Sequence, residues 1–401
     1  MSRLRNKAQA QTKMTKRVYL LQFGDFKQLS KAEAYAFVNA EALKVVYEGF
    51  NYLIFESSRT VDPYFGSILR VAEYYSSIEG LTDLLSEDLS YTEKSIPWSV
   101  YVLDDNIAVA EKLRHKIESL IKQSNKKSIY VSSTSVFSEK GGVTLTKAIR
   151  KRLATDGYEF ILARWGTELA VWRTIKYLDL RGFKERDLSR PYKNPLISMP
   201  PWLARVMINL ASPSPGRKLL DPFCGTGTIL IEAVDSGLDA YGVDLDPSNV
   251  NGARENLNWF QAKKGKTADS HVVLADSRRL TEHFPECYFD VAVTEPPFGP
   301  PLKETVSLSE AQAIADDLRD LYSSVFYSLS KVLKNSGIVV FTLPSWRLKT
   351  GGLYELRVEE ILEKSGLKLN KYIGNTALPI RWSKSDNIIQ RLINVASKSF
   401  S

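Results

Sequence analysis

The stretch Lys218–Pro247, KLLDPFCGTGTILIEAVDSGLDAYGVDLDP, decides the fold. Its pattern predicts a strand that ends at Asp221, a turn at Gly225 and Gly227, an apolar helix, and a second strand that ends at Asp244. In doubly wound nucleotide-binding folds, an acid at the end of the second strand, about twenty residues after a glycine turn, contacts ribose hydroxyls. The stretch therefore predicts an α/β domain with a parallel sheet and a nucleotide-like ligand.

The residues around the turn favour S-adenosylmethionine as that ligand. A dinucleotide-binding turn needs a third small residue three places after Gly227, and that position is Leu230, which argues against NAD. The carboxylate of Asp221 precedes the turn and can attract a cation. S-adenosylmethionine carries a sulfonium and an ammonium group and no phosphate. The alternative is an ordinary strand-turn-helix without a ligand, which the agreement of Asp221 and Asp244 with the two glycines disfavours.

Length and composition bound the class of protein. A chain of 401 residues is expected to form two or three domains, and 44% hydrophobic residues are typical of globular packing. No apolar run is long enough to span a membrane, and two cysteines exclude a disulfide framework, which favours a cytoplasmic location. The net charge of +8 suggests a polyanionic partner.

The N-terminal half of the chain reads as α+β, with no catalytic machinery. Ser30 and Glu33 have the spacing of a capping box at a helix start, and Phe65–Tyr75 is predicted to be a helix. A basic segment near residue 150 could follow an RNA backbone, and a solvated helix face explains it equally well. The residues of that segment are Lys147, Arg150, Lys151 and Arg152.

A second constellation follows the predicted fourth strand, at Glu295-Pro296-Pro297-Phe298. Strands one and four flank the point where strand order reverses, so this tetrad should face the ligand of the Asp221 turn. The lone pair of an exocyclic base amine is delocalised into the ring. A carboxylate from Glu295 and a carbonyl from Pro296 can accept its two N–H groups and pull the nitrogen towards tetrahedral geometry. Phe298 offers a face on which the base can stack.

These motifs support a family resemblance. The segments DPFCGTGT, VDLD and EPPFG resemble those of class I S-adenosylmethionine-dependent amino-methyltransferases. The run ERDLSRP at residues 185–191 and the runs PPWLAR and MINLA within residues 200–211 are similar to the THUMP-containing tRNA guanine-N2 methyltransferases, which modify guanosine 10. The resemblance is specific over Phe183–Gly299.

The resemblance implies a layout and a partner. It implies a ferredoxin-like α+β domain over residues 15–95, a THUMP-like RNA-binding domain over 96–182, a linker and helix over 183–215, and a Rossmann-like class I methyltransferase domain over 216–401. The implied partner is tRNA, with no membrane association. The sequence leaves open the oligomeric state, a small activator subunit, and whether one or two methyl groups are added.

The resemblance also implies site residues. The implied catalytic residues are Glu295, Pro296, Pro297 and Phe298. The implied cofactor-binding residues are Asp221, Pro222, Gly225, Thr226, Gly227, Thr228, Asp244, Leu245, Asp276 and Ser277. Arg186 and Arg190 join the four basic residues near position 150 as predicted RNA contacts, and no metal site is predicted.

One departure and several alternatives remain open. Glu295 stands where the wider superfamily has Asp or Asn, and its side chain is one methylene longer. Cytosine-C5 methylation needs an activated cysteine, whereas Cys224 lies in the predicted cofactor turn and Cys287 has no proline neighbour. The competing interpretations are a methyltransferase for rRNA guanine-N2 or DNA adenine-N6, and a noncatalytic RNA-binding protein with a vestigial cofactor fold.

Overall fold

A computed structural model describes residues 16–92, 94–104, 106–131, 153, 157–194, 199–265, 268–383 and 387–398. The chain divides into two compact units. The N-terminal unit comprises Met1–Lys27, Glu41–Pro63 and Ile68–Leu178. The C-terminal unit comprises Gln28–Ala40, Tyr64–Ser67 and Asp179–Ser401.

The first half of the chain alternates strands and helices. Its elements are β1 (Arg17–Phe23), α1 (Lys27–Ala40), β2 (Lys44–Glu48), β3 (Tyr52–Ser57), β4 (Ile68–Ser77), α2 (Leu81–Ser90), β5 (Ser95–Val102), α3 (Ile107–Gln123), β6 (Lys127–Tyr130), β7 (Tyr158–Trp165) and β8 (Glu168–Tyr177). Among the described residues, its strands form one sheet in the order β2-β3-β1-β4-β8-β7-β5-β6. The strands on both sides of the predicted boundary at residue 95 therefore share a sheet, and the two domain types assigned there stay a prediction.

The predicted helix at Phe65–Tyr75 is wrong. Residues from Ile68 onward form β4, which pairs antiparallel with β1 on one side and with β8 on the other. A short apolar run does not by itself separate a buried strand from a buried helix. The hydrogen bonds that two neighbouring strands offer to a central strand decided the outcome.

The predicted capping box at Ser30 and Glu33 is also wrong, because helix α1 begins at Lys27. The buried Glu33 carboxylate instead accepts hydrogen bonds from the Gly66 and Ser67 amides, at 2.7 and 2.9 Å, and from Asn209 Nδ2 at 2.7 Å. Burial raises the pKa of Glu33. This network joins three segments of the C-terminal unit that are distant in sequence.

The C-terminal unit contains a largely parallel sheet. Its elements after residue 178 are α4 (Leu180–Leu188), α5 (Pro201–Ala211), β9 (Lys218–Asp221), α6 (Thr228–Asp235), β10 (Asp239–Asp244), α7 (Pro247–Lys264), β11 (Ser270–Leu274), a 3₁₀ helix (Ser277–Glu282), β12 (Phe289–Thr294), α8 (Leu308–Val332), β13 (Leu333–Arg347), β14 (Leu353–Glu355), α9 (Val358–Leu362), β15 (Leu367–Leu369), β16 (Tyr372–Ile373), β17 (Thr376–Ala377), β18 (Ile380–Trp382) and β19 (Ile389–Lys398). The main strand order is β11-β10-β9-β12-β13-β19-β15, with β14 on β13 and β18 on β19. Strands β9 to β13 are parallel, and β19 runs antiparallel to β13.

Apolar side chains cover both faces of this sheet. One core cluster includes Leu203 and Met207 of α5 with Leu230 of α6, and another includes Leu318 and Tyr322 of α8. Parallel strands with both faces covered read as continuous apolar runs, as Val291–Val293 does. The α/β class predicted from the sequence is confirmed, and β9 and β12 lie side by side as expected.

No helix in the described part of the chain is both long enough and apolar enough to cross a membrane.

Candidate active site at the switch point of the sheet

The strand order reverses between β9 and β12. The neighbours of β9 are β10 on one side and β12 on the other, and all three run parallel. Their carboxyl ends therefore meet at one edge, where open α/β sheets bind ligands. Asp221, Asp244 and Thr294 are the last residues of the three strands.

The glycine turn connects two of these strand ends. Gly225 and Gly227 have φ values of +50° and +83°, a region that side chains disfavour. The Gly225 amide donates to Asp244 Oδ2 at 2.9 Å. A Cβ atom at Gly227 would lie 3.2 Å from the Cβ of Ala253 on α7, so a small residue is needed there for close packing.

Asp221 is a buried carboxylate, with 1% of its surface exposed. Its Oδ1 accepts from the Thr294 hydroxyl at 2.7 Å and from the Phe223 amide at 3.1 Å. Burial raises the pKa of Asp221 to about 7, against the lowering effect of these hydrogen bonds. Among the described residues, no Lys or Arg forms an ion pair with it. A carboxylate in this state is suited to a cationic ligand group.

Asp244 is held in one orientation by the start of α7. Its Oδ1 accepts from the Asp246 amide at 2.9 Å and from Asn249 Nδ2 at 3.2 Å. Asn249 is buried, and it is not among the site residues predicted from the sequence. The available signal was an amide side chain in the first helical turn after the strand-end acid.

Two predicted cofactor residues act within the turn region itself. The Ser277 hydroxyl donates to the Pro222 carbonyl. Asp276 accepts from the Arg278 amide at 2.9 Å and also pairs with the Arg278 guanidinium, which lowers the pKa of Asp276. The role of Asp276 in cofactor binding stays a prediction, and its carboxylate already has these partners within the chain.

The remaining predicted cofactor residues lie around the turn. The Thr226 carbonyl accepts from Asn256 Nδ2 at 2.8 Å, and Thr228 Oγ1 accepts from Arg190 Nη1 at 2.6 Å. Leu245, after the Asp244 strand end, is 71% exposed and leaves an apolar side chain open to a ligand.

The Glu295–Phe298 tetrad lies beside the Asp221 loop. Thr294 bonds to Asp221 and immediately precedes Glu295, so the two predicted half-sites are adjacent. The Pro297 carbonyl accepts a hydrogen bond from the Tyr322 hydroxyl, and burial raises the pKa of Tyr322. No hydrogen bond from the described residues reaches the Pro296 carbonyl, which leaves it available as an acceptor.

Glu295 has a partner that is not among the residues predicted from the sequence. Arg391, on β19, donates Nε to Glu295 Oε2 at 2.6 Å and Nη2 to Oε1 at 2.8 Å. The hydroxyl of Thr342, on β13, donates to Oε2 at 3.3 Å. No sequence signal marks Arg391, since it is 96 residues from Glu295 and only strand pairing brings them together.

The predicted RNA contacts at Arg186 and Arg190 need correction. Both side chains are buried. Arg186 forms an ion pair with the buried Glu232 of α6, and Arg190 bonds to Thr228. A guanidinium held in the interior by these partners supports the packing of α6 and does not present its charge to a phosphate.

The other four predicted RNA contacts lie outside the described residues. They are Lys147, Arg150, Lys151 and Arg152.

The cysteine of the glycine turn is poorly suited to act as a nucleophile. Cys224 is buried, and this burial raises the pKa of its thiol well above the ordinary value, which disfavours the reactive thiolate. Cys287 is exposed. Within the described ranges, no group of three or more His, Cys, Asp or Glu side chains could hold a metal ion.

Comparison with known proteins places this chain in a family. Residues 190–350 match the RMKL-like methyltransferase domain family, and residues 102–255 match a DNA methylase family. The chain is 30% identical over 329 residues to the tRNA (guanine(10)-N2)-dimethyltransferase of Methanothermobacter thermautotrophicus, covering 80% of this chain and 86% of that protein. It is 32% identical over 204 residues to the protein of the same name from Pyrococcus abyssi, covering 50% of this chain and 56% of that protein.

A solved structure, TrmN from Thermus thermophilus, matches 95% of this chain and 99% of its own, with a TM-score of 0.47 and 16% identity.

The sheet order, the glycine turn and the two strand-end acids define a class I methyltransferase that uses S-adenosylmethionine. Within that class, the chain belongs to the tRNA (guanine(10)-N2)-dimethyltransferase family.

Proposed function

We propose that this protein transfers methyl groups from S-adenosylmethionine to the exocyclic N2 of guanosine 10 in tRNA. One observation carries the proposal: the Thr294 hydroxyl bonds to Asp221 at 2.7 Å, so a buried carboxylate suited to a cation adjoins the acid-proline-proline-aromatic tetrad. Position 10 and the addition of two methyl groups follow the names of the related proteins.

The part of the site around Asp221, Asp244 and Leu245, called the cofactor half, has residues that fit S-adenosylmethionine. Asp221 would hold its ammonium group, Asp244 the ribose hydroxyls, and the exposed Leu245 the adenine face. When bound, this cofactor supplies a methyl group activated by a sulfonium. Asn249 and the Gly225 amide orient Asp244 in advance, which lowers the cost of binding.

The part of the site formed by Glu295–Phe298, called the acceptor half, would position an amine. Glu295 and the Pro296 carbonyl would accept the two N–H groups of guanine N2, which localises the nitrogen lone pair. Phe298, partly exposed, would stack on the base once it has left its helix. The nitrogen would take the methyl group as the sulfur–methyl bond breaks, which leaves S-adenosylhomocysteine, and would release one N–H proton to the Glu295 carboxylate or to water. Positioning and electrostatic preorganisation are the main contributions of the protein.

The N-terminal half of the chain is proposed to bind the tRNA. A THUMP-like domain within residues 96–182 and the basic residues near position 150 are the parts that the sequence favours for contacts with phosphates. A cytoplasmic location follows from the same proposal, because unmodified tRNA would be the substrate.

Methylation of DNA is the second candidate. The match of residues 102–255 to a DNA methylase family favours it, as does 30% identity over 128 residues to the type II methyltransferase M.VspI. The amine of adenine could be held by the same pair of acceptors. The match to M.VspI covers 31% of this chain, whereas the Methanothermobacter protein covers 80%, so the tRNA substrate is favoured.

Labelled methyl transfer tests the proposal. Unmodified tRNA transcripts, transcripts with adenosine at position 10, ribosomal RNA and duplex DNA are incubated with the protein and labelled S-adenosylmethionine. The expected result is transfer to the first transcript alone, with N2-methylguanosine and N2,N2-dimethylguanosine found by mass spectrometry of the nucleosides. Equal labelling of the transcript with adenosine at position 10 contradicts the assigned position, and labelling of DNA alone contradicts the substrate class.

A further inference from the structure

Three adjacent strands of the C-terminal unit deliver side chains to one carboxylate. Glu295 follows β12, Thr342 lies on β13, and Arg391 lies on β19, which pairs with β13. Both side chains of the Glu295–Arg391 pair are 16% exposed, so the pair is largely shielded from water and still reachable from the site. Pairs in such surroundings are screened much less than surface pairs.

The hydrogen bonds occupy most of the acceptor capacity of Glu295. An ionised carboxylate offers about four lone-pair positions, two on each oxygen. Oε2 accepts from Arg391 Nε and from Thr342 Oγ1, at 2.6 and 3.3 Å, whereas Oε1 accepts from Arg391 Nη2 alone, at 2.8 Å. Among the described residues, Oε1 is therefore the oxygen with a lone pair left for a substrate.

Arg391 is itself held in place by two aromatic rings. Its guanidinium carbon lies 5.5 Å from the centre of the Phe298 ring and 5.1 Å from that of Trp382, within the range of cation–π attraction. Trp382 is buried, pairs with Arg391 across β18 and β19, and contacts Trp202 edge to face at 5.5 Å. The guanidinium group that pairs with Glu295 is thus packed against a side chain of the core.

We infer that Arg391 is a positioning residue for methyl transfer: it fixes the Glu295 carboxylate so that Oε1 alone receives an N–H of the target amine. The inference rests on the proposed function and adds a residue to it. It also explains how glutamate serves at this position, because the bidentate pair immobilises the extra methylene of the longer side chain. Without Arg391, the carboxylate rotates among several orientations, and few of them aim a lone pair at the amine.

A double-mutant cycle between Arg391 and Glu295 tests this inference. The variants are Arg391→Gln, Glu295→Gln and the pair together, measured for kcat and KM with tRNA and for the Kd of S-adenosylmethionine. We expect Arg391→Gln to lower kcat about 10- to 100-fold with cofactor affinity unchanged. The double variant should be no slower than Glu295→Gln alone, since Arg391 acts through Glu295. If the kcat losses of the two single variants multiply in the double variant, the inference is overturned.

Arg381→Gln is the matched control. Arg381 lies next to Trp382 on the same strand and donates hydrogen bonds to Glu355, Ser345 and Gln390 and, among the described residues, not to Glu295. Its replacement should leave kcat close to that of the wild type. Arg391→Lys keeps the charge without the fork and should recover only part of the rate. If Arg391→Gln does not fold, Arg391→Lys still tests the inference.

Added guanidinium ion, below denaturing concentrations, separates positioning from a purely structural role. It should raise kcat of an Arg391→Ala variant by filling the vacated place beside Glu295, and leave Arg381→Ala unchanged. If guanidinium gives no rescue and the kcat losses of the two single variants multiply in the double variant, only the assignment of Arg391 is contradicted. The proposed function fails separately, if the wild-type protein methylates no tRNA. The two failures are therefore distinguishable.

Discussion

The carboxylates of the two halves of the site have opposite kinds of partners. Asp221 is buried, accepts two neutral hydrogen bonds and has no ion pair among the described residues, whereas Glu295 is gripped by a guanidinium. An acid whose pKa is raised to about 7 by burial is stabilised by a cation that arrives with a ligand. An acid already paired with Arg391 needs no further cation and serves as a fixed hydrogen-bond acceptor. On the proposed function, a ligand cation would complete the surroundings of Asp221, whereas Glu295 is paired before any substrate binds.

Removal of the fixed acceptor should have the largest effect. Glu295→Ala is expected to lower kcat for tRNA methylation about 1,000-fold, because a preorganised acceptor contributes about this much to the transition state. Cofactor affinity should change little, which calorimetric titration checks. The exposed Glu286→Ala is the control. Undiminished methyl transfer by Glu295→Ala would refute the division of labour between the halves.

Neutralising the buried acid should affect binding instead. Asp221→Asn keeps the shape and an acceptor for Thr294 and Phe223, and is expected to weaken S-adenosylmethionine binding about 100-fold, as loss of a charge-assisted contact does. Calorimetry measures this against Asp316→Asn, an exposed acid. If Asp221→Asn binds the cofactor as tightly as the wild type, the ammonium group is held elsewhere.

The same variant should stabilise the fold without ligand. The pKa of Asp221 is raised from 3.8 to about 7, so the unfolded chain loses its proton first as pH rises. The free energy of unfolding therefore falls between pH 4 and 7 in the wild type, by up to about 4 kcal/mol, and is then level. Asp221→Asn removes this loss, so its Tm at pH 8 should exceed that of the wild type. An unchanged or lower Tm would mean that the buried carboxylate is not destabilising.

Cofactor affinity should depend on pH in the range where Asp221 titrates. The ammonium group favours the ionised carboxylate, so the Kd for S-adenosylmethionine should rise as pH falls below about 7, by up to tenfold per pH unit. Asp221→Asn should flatten this dependence. A wild-type Kd that is constant from pH 8 to 5.5 would contradict the role of Asp221.

A smaller effect is expected where a neutral group supports an acid. Asn249→Ala removes one hydrogen bond to Asp244 and should weaken cofactor binding about fivefold, which corresponds to about 1 kcal/mol. Asn258→Ala, an exposed residue on the same helix, should have no effect. Equal affinities of these two variants would remove Asn249 from the cofactor half.

The sequence by itself determined the local geometry of the proposed cofactor half. Its residues lie within one strand-turn-helix-strand stretch, where local spacing dictates geometry, so Asp221, Gly225, Gly227 and Asp244 could be read directly. Glu295–Phe298 could also be placed near them, because parallel strands bring their carboxyl ends to one edge. The motif around Arg186 and Arg190 was visible as well, but its burial was not.

Only the tertiary structure decided the partners of these residues. Arg391 reaches Glu295 through the pairing of β13 with β19, and Glu33 connects three segments of the C-terminal unit through Gly66, Ser67 and Asn209. Such contacts connect positions tens to hundreds of residues apart and leave no local periodicity. Burial, which turns Asp221 into an acid with a pKa of about 7 and Arg186 into a core ion pair, depends on the packing of whole elements and not on neighbours in the chain.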